Sequence, residues 1–287
     1  MCLFGKKESW ELIDESFQEE MRKAGLEKHI GKLYQIAKQA IYLDLEKAVE
    51  DNIPIGSSKI GGHPDIFLGF SWPTNGDVFL AFLAQINLTE IRNLHDGSLL
   101  PLSGHLYFFY DSENMPEGKH HSDKDSFRVL YYDTADHPLI RMEYPEKLCN
   151  QKNSIFPACS VSFRNKWTLP SYEERKFNND NYLNYIALEN GKETFLLGYC
   201  KNIQGDVRET CAKVNLNIDY DETQKISRTD LKRIKIDKEE WVLLFQLDSV
   251  EECKMMWCDM GILYFMIKVE DLHKKRFDKT WLVLQCY

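Results

Sequence analysis

Seven side chains have types and positions suited to holding a ligand: Lys59, Gln85, Asn87, Gln246, Asp248, Trp257 and Asp259. Gln85-Ile86-Asn87 and Gln246-Leu247-Asp248 each close an apolar run. Buried amides need hydrogen-bond partners and strand ends frame clefts, so these are candidate ligand contacts. The simpler reading is that Gln85 and Gln246 satisfy backbone groups of the neighbouring half of the chain. Lys59 lies in Gly56-Ser57-Ser58-Lys59-Ile60-Gly61-Gly62, which fits neither nucleotide-binding glycine template but offers backbone and a cation to a small anion. The plainer reading is a turn whose glycines adopt positive φ. In Trp257-Cys258-Asp259-Met260-Gly261 an aromatic platform and a carboxylate precede an apolar run, where Asp259 is expected to cap a turn and otherwise offers ligand surface.

No residue pattern announces a reaction. Ser103-Gly104-His105 lacks the sharp-turn nucleophile signature, and adjacency in sequence does not aim one side chain at the next. Cys253 and Cys258 are cysteine candidates, but an activated thiolate wants a positive neighbour and Cys258 adjoins Asp259. His120-His121 with Asp123 and Asp125, or Cys253 with Cys258, match no structural zinc spacing, and the histidines are expected in a solvated loop. The expectation is no metal and no cofactor. Eight cysteines without a CxxC pair are expected as reduced thiols.

The elements that would position these residues occur twice. Phe82-Leu83-Ala84-Gln85-Ile86-Asn87 recurs as Leu243-Leu244-Phe245-Gln246-Leu247-Asp248, and Gly104-His105-Leu106-Tyr107-Phe108-Phe109 recurs as Gly261-Ile262-Leu263-Tyr264-Phe265-Met266. The order is the same, with 19 residues from glutamine to glycine in the first copy and 15 in the second. Upstream, Gly61-Gly62-His63-Pro64 has a weaker partner in Leu197-Gly198-Tyr199-Cys200. Each copy reads as two antiparallel strands buried on both faces, which cannot stand alone and must join its twin in a common core.

Around the repeats, helical spacing over Ser9–Gln39 breaks near Gly25 and Gly31, and the alternation of Ile41, Leu43 and Leu45 suits a strand. Further strands are expected over 106–110, 127–132, 139–144 and 160–167. Helical pieces are expected after Ser171 and around Tyr182–Glu189. Residues 221–240 carry six acidic and six basic side chains, and read as a solvated linker or helix face and as a candidate mobile insertion. The fold class is α+β: a mainly antiparallel sheet with internal duplication of a strand-pair motif and an N-terminal helical element. The expected division is a helical segment over residues 1–50 and a duplicated domain over 51–287, with halves near 51–167 and 190–287.

With 45 acidic against 36 basic side chains, the net charge of −9 repels phosphate backbones and anionic membranes. Nucleic acid and membrane are therefore not expected partners. A charged N-terminus, and no run of 18 apolar residues, place the chain in the cytoplasm as an expectation.

The strings Ser58–Pro64, Trp72-Pro73, Leu83–Leu88 and Gly104–Asp111, with Leu243–Asp248, Trp257-Cys258-Asp259, Gly261–Phe265, Asp271-Leu272 and Gln285, resemble the YwqG-like family, bacterial proteins of unknown function. The similarity spans residues 35–287. It implies a cytosolic α+β fold with internal duplication, sometimes found near secreted-toxin gene clusters. The family commonly has a glycine where this chain has Cys258, and a glycine-proline pattern where it has Leu197 and Cys200. The leading functional reading is a non-catalytic binding protein that holds a protein segment or small molecule, in one version a cytosolic toxin neutraliser whose acidic face steers a basic partner. The competing reading is an enzyme with a polar cleft between the halves, built from Lys59, Gln85, Gln246, Asp248 and Asp259.

Overall fold

The two longest strands hold the middle of one ten-stranded antiparallel sheet. The computed structural model describes residues 13–95, 99–133, 138–171, 193–218 and 226–287. Strand β1 (Lys38–Lys47) pairs along its whole length with β10 (Cys159–Thr168), from Lys38 opposite Thr168 to Lys47 opposite Cys159. Outward from β10 lie β2 (Lys59–Ile60), β6 (Ala81–Asn87), β7 (His105–Tyr110) and β8 (Phe127–Tyr132). Outward from β1 lie β11 (Phe195–Leu197), β12 (Trp241–Asp248), β13 (Ile262–Lys268) and β14 (Trp281–Gln285). The order is palindromic about the β1–β10 pair, so a pseudo-twofold axis there relates the halves. The N-terminal segment is helical only as far as Ile36, and its next residues supply a central strand of the sheet.

The repeat is legible residue by residue. Gln85 faces Tyr107 across β6 and β7 as Gln246 faces Tyr264 across β12 and β13. The register shifts once in each pair, between Phe82 and Ala84 and between Leu243 and Phe245, so both copies carry a bulge at the same place. The strand before each pair leaves through two residues of positive φ, Gly61 (65°) and Gly62 (66°) in one half, Leu197 (62°) and Gly198 (76°) in the other. A Cβ on Gly61 would stand 2.3 Å from the Pro157 carbonyl oxygen. Leu197 accepts the left-handed backbone, at about 1–2 kcal/mol, while burying its side chain in the shared core.

The sheet curls into a nearly closed barrel, and the inward faces of both halves form one core. Phe108 of β7 meets Phe245 and Phe265 of the other half, with ring centres 4.6 and 5.0 Å away. Cys159 on β10 and Cys253 beyond β12 are buried in this core, their Cα atoms 6.0 Å apart, and are joined as a disulfide. The expectation of reduced thiols throughout therefore fails for this pair, whose partners lie 94 residues apart.

The outward faces are covered differently. In one half the short strands β3 (Asp65–Phe67), paired with β9 (Leu139–Arg141), and β4 (Thr74–Asn75), paired with β5 (Val78–Phe79), belong to connections whose Phe67, Phe70 and Trp72 pack over Phe82 and Phe109. The connecting segments also include the short helices α3 (Leu88–Ile91) and α4 (Glu146–Cys149). In the other half helix α5 (Val207–Asn215) lays Val207 and Cys211 on Tyr264 and Met266. N-terminal helices α1 (Glu15–Lys23), capped by Asp14, and α2 (Ile30–Ile36) pack Phe17, Met21 and Leu33 against Leu169 and Trp167. Helix α6 (Arg228–Asp237) occupies half of the segment read as a mobile insertion and buries only Ile234. Its Asp237 carboxylate accepts from Asn215, Trp241 and Lys268, which fixes its end to the sheet. The short α7 (Val269–His273) follows β13. The helical pieces expected after Ser171 and around residues 182–189, and the start of the charged segment, lie outside the described residues.

The barrel's edges, β8 and β14, do not pair with each other. The loop after β7 stands in for the missing ladder: the Leu284 amide donates to the Glu117 carbonyl (3.1 Å) and the Trp281 indole to the Gly118 carbonyl (2.8 Å). A Cβ on Gly118 would lie 1.8 Å from the Leu282 carbonyl oxygen. Gly118→Ala should lower unfolding free energy by about 3 kcal/mol or more, since backbone meets backbone and neither can yield cheaply. Gly69→Ala, also at positive φ but with open space around it, should cost only about 1–2 kcal/mol. Equal losses in denaturant titration would mean that the Gly118 contact is not a constraint.

Candidate functional site

The seven residues singled out in the sequence do not gather in one cleft. Lys59, Gln85 and Asn87 sit in one half, Gln246 and Asp248 in the other, with β10, β1 and β11 between the two groups. Trp257 is in the core, edge-on to Tyr110 and Phe156, and its indole donates to the Asp248 carbonyl. Asp259 is exposed, and its backbone carbonyl accepts from Tyr287. The turn it was expected to cap is held instead by the Ser249 hydroxyl, which accepts from the Trp257 amide and donates to the Gly261 carbonyl.

Both glutamines are clamps on their own half, not on the neighbouring one. The fully buried Gln85 accepts from the Asp65 amide (2.7 Å) and donates to the Ser57 carbonyl (2.7 Å). Gln246 accepts from the Lys201 amide (2.9 Å) and donates to the Glu193 carbonyl (3.0 Å). The tyrosine opposite each closes the same link, Tyr107 onto the Asp65 carbonyl and Tyr264 onto that of Lys201. Asn87 and Asp248 are equivalent too, their amides donating to the hydroxyls of Ser58 and Thr194. On β14, Gln285 repeats the device, accepting from Ile203 and Gln204 and donating to Gly205.

Lys59 is unavailable to an anion. Its ammonium is fully buried between the Glu50 and Asp65 carboxylates, 3.2 Å from each. Arg141 joins them, 2.9 Å from Asp65, and ties the Glu50 and Ile53 carbonyls. Burial pushes the Asp65 carboxyl upward, but Arg141, Lys59, the Gly56 amide and Gln85 outweigh it and hold it below the ordinary carboxylate range. Burial drives the Lys59 ammonium the other way, below its usual range despite its two carboxylates. His105, donating to the Gly56 carbonyl at 2.7 Å, is held below the usual histidine range by burial. Glu50, Asp65 and Arg141 had gone unremarked in the sequence; an aspartate and an arginine inside short apolar runs were their only signal.

Nor does the rest of the chemistry assemble. His105 is occupied by Gly56, and His120 caps a 3-10 turn over His121–Asp125 in a reciprocal pair with Asp123, where a plain loop was expected. Among the described residues, no three histidine, cysteine or acidic side chains are placed to share a metal ion.

What stays open is the notch between β8 and β14, a cavity of about 280 Å³ roofed by α5. Phe127, Phe277, Trp241 and Trp281 line it, with Phe127 edge-on to Trp281 at 5.3 Å and the His121 ring parallel to it at 6.3 Å. Lys124, Arg128 and Lys279 stand at its rim against one lining carboxylate, Asp278. Thr280, only 5% exposed, is also a lining residue; its hydroxyl is shielded from solvent and has no hydrogen-bond partner among the described residues. A second cavity, about 380 Å³, lies at the barrel mouth beside Ile41, Leu94, Leu197 and Val242 and is mostly apolar.

Two outcomes follow from the buried charges. Asp65→Asn strands Lys59 and Arg141 and should cost about 3–5 kcal/mol in urea unfolding. Asp65 and His105 both titrate lower in the folded chain than in the unfolded one, so unfolded chains bind more protons on acidification. The contributions of these two groups should be complete above about pH 6.5, fall first through His105, and fall again below about pH 4 through Asp65. In His105→Gln the first fall should vanish; its persistence would contradict the assignment.

No helix among the described residues is long and apolar enough to cross a membrane. No protein of curated function matches the chain. One family model matches residues 58–286, which take in every strand from β2 to β14: the chain belongs to the family described as Domain of unknown function (DUF1963).

Proposed function

We propose that this is a non-catalytic binding protein whose ligand site is the notch between β8 and β14, where the outer strands of the two halves approach. One contrast carries the reading. The polar side chains of Lys59, Gln85, Asn87, Gln246 and Asp248 are consumed by internal bonds. The notch instead offers accessible cations and aromatic walls, with Thr280, whose buried hydroxyl has no hydrogen-bond partner among the described residues, among the residues that line it. A buried hydroxyl without a partner loses free energy that a ligand atom can restore. The enzyme reading calls for the polar motif residues in one deep pocket; their places on strands separated by β10, β1 and β11, and their internal hydrogen bonds, favour the binding reading over it.

Cytoplasmic residence and the absence of nucleic-acid partners remain part of this reading, supported by the acidic balance of −9. The same charge and the YwqG-like resemblance favour a second version, neutralisation of a basic toxin. For that version the partner would be a protein, and isothermal titration against a basic toxin domain should show binding that weakens as salt rises.

The small-molecule version is tested by melting the purified protein in a desalted small-molecule extract of the expressing cells. Ligand present at 100 times its dissociation constant stabilises by about 2.7 kcal/mol, enough to raise Tm by several degrees. Asn215→Trp, an exposed change at the notch wall, should abolish the rise. A rise of the same size in the variant would place binding elsewhere and sink the notch assignment.

A further inference from the structure

Resting on the notch as the ligand site, we propose that it selects small aromatic acids that carry a hydrogen-bonding group at the end remote from the acid. Three observations define this class. The walls are aromatic: Phe127, Phe277 and Trp281 give flat apolar surface that favours a ring over a flexible chain. The rim is cationic on a protein that is otherwise acidic. Lys124 has no carboxylate partner among the described residues, while Arg128 and Lys279 have only loose, exposed ones, 3.7 Å from Asp125 and 3.6 Å from Asp278. Such pairs are weak in water, so an incoming carboxylate competes with them readily. One buried lining residue is polar: the Thr280 hydroxyl can both donate and accept, and among the described residues it has no hydrogen-bond partner.

These features are ordered by exposure. Lys124 and Lys279 are exposed, Trp281 is half-buried and Thr280 is buried, so an acid held by the lysines leaves its ring against Trp281 and its remote end towards the more buried lining residues. The volume, about 280 Å³, is at the small end of ligand pockets, which run to roughly 300–1,000 Å³. It suits a ligand of one or two rings.

The test uses the full-length protein and three probes, 6-hydroxy-2-naphthoate, 2-naphthoate and neutral 6-hydroxy-2-naphthalenemethanol, titrated by calorimetry. The hydroxynaphthoate should bind at least tenfold more tightly than the neutral alcohol, and lose that advantage at high salt. Lys124→Gln with Arg128→Gln, both on the rim, should cost the two acids tenfold or more and leave the alcohol unchanged. Thr280→Val should weaken the hydroxynaphthoate severalfold and leave 2-naphthoate unchanged, a split that general damage to the fold would not produce. Equal affinity for acid and alcohol overturns the inference while leaving the notch as a binding site. No binding of any probe at millimolar concentration also overturns it, and if the cell extract then fails to raise Tm, the small-molecule reading falls with it.

Discussion

A buried amide side chain that clamps a crossover to a strand is the interaction on which this fold depends. A glutamine placed in a sheet interior loses its water, and each unmet donor or acceptor then costs about 1–3 kcal/mol. Gln85 and Gln246 recover that loss by bonding backbone on both sides of the neighbouring short strand, at a residue ahead of it and at another beyond it. The clamp fixes where the chain must turn, which is why a pair of positive-φ residues stands at Gly61-Gly62 and again at Leu197-Gly198. With the crossovers set, the strand pairs carry their bulges at matching places and the sheet curls enough for Phe108 to reach Phe245 and Phe265.

The halves then diverge in how they treat the position beside the clamp. Opposite Gln85 stands Lys59, neutralised by Glu50 and Asp65; opposite Gln246 stands Phe195, stacked on Tyr42. One half has a buried ion network where the other has apolar packing, and the two are interchangeable for holding a strand in place. The polar motif of the first half is therefore part of the scaffold. At the seam, two outer strands of like construction approach without pairing. There, groups from β8, β14, α5 and the turn before β8 face a shared space.

Much of the scaffold could be read from the residues. The linked strings around Gln85 and Gln246 identified the repeat, the alternation of Ile41, Leu43 and Leu45 identified β1, and the resemblance of Leu197-Gly198 to Gly61-Gly62 became a shared backbone conformation. The partners of the glutamines were misassigned because strand patterning shows which face a side chain takes, not which crossover lies over that face. Asp259 was given a cap that Ser249 performs from the other side of the turn. The Cys159–Cys253 bridge left no trace, since it joins residues 94 apart that meet only once both halves are in the barrel. The notch was invisible for the same reason. Lys124, Arg128, Trp241 and Thr280 are unremarkable in their own segments, and only the closure of the sheet brings them together.

Native-state hydrogen exchange at two backbone amides, those of Asp65 and Lys201, tests the clamp most directly. Neither amide is part of a pairing with a central strand, and each donates to a glutamine side chain. If the clamps hold the fold, both should exchange only on global unfolding, at rates within about tenfold of the core amides of β6 and β12. Exchange orders of magnitude faster at either amide would show that the crossover opens independently of the sheet, and would contradict the account.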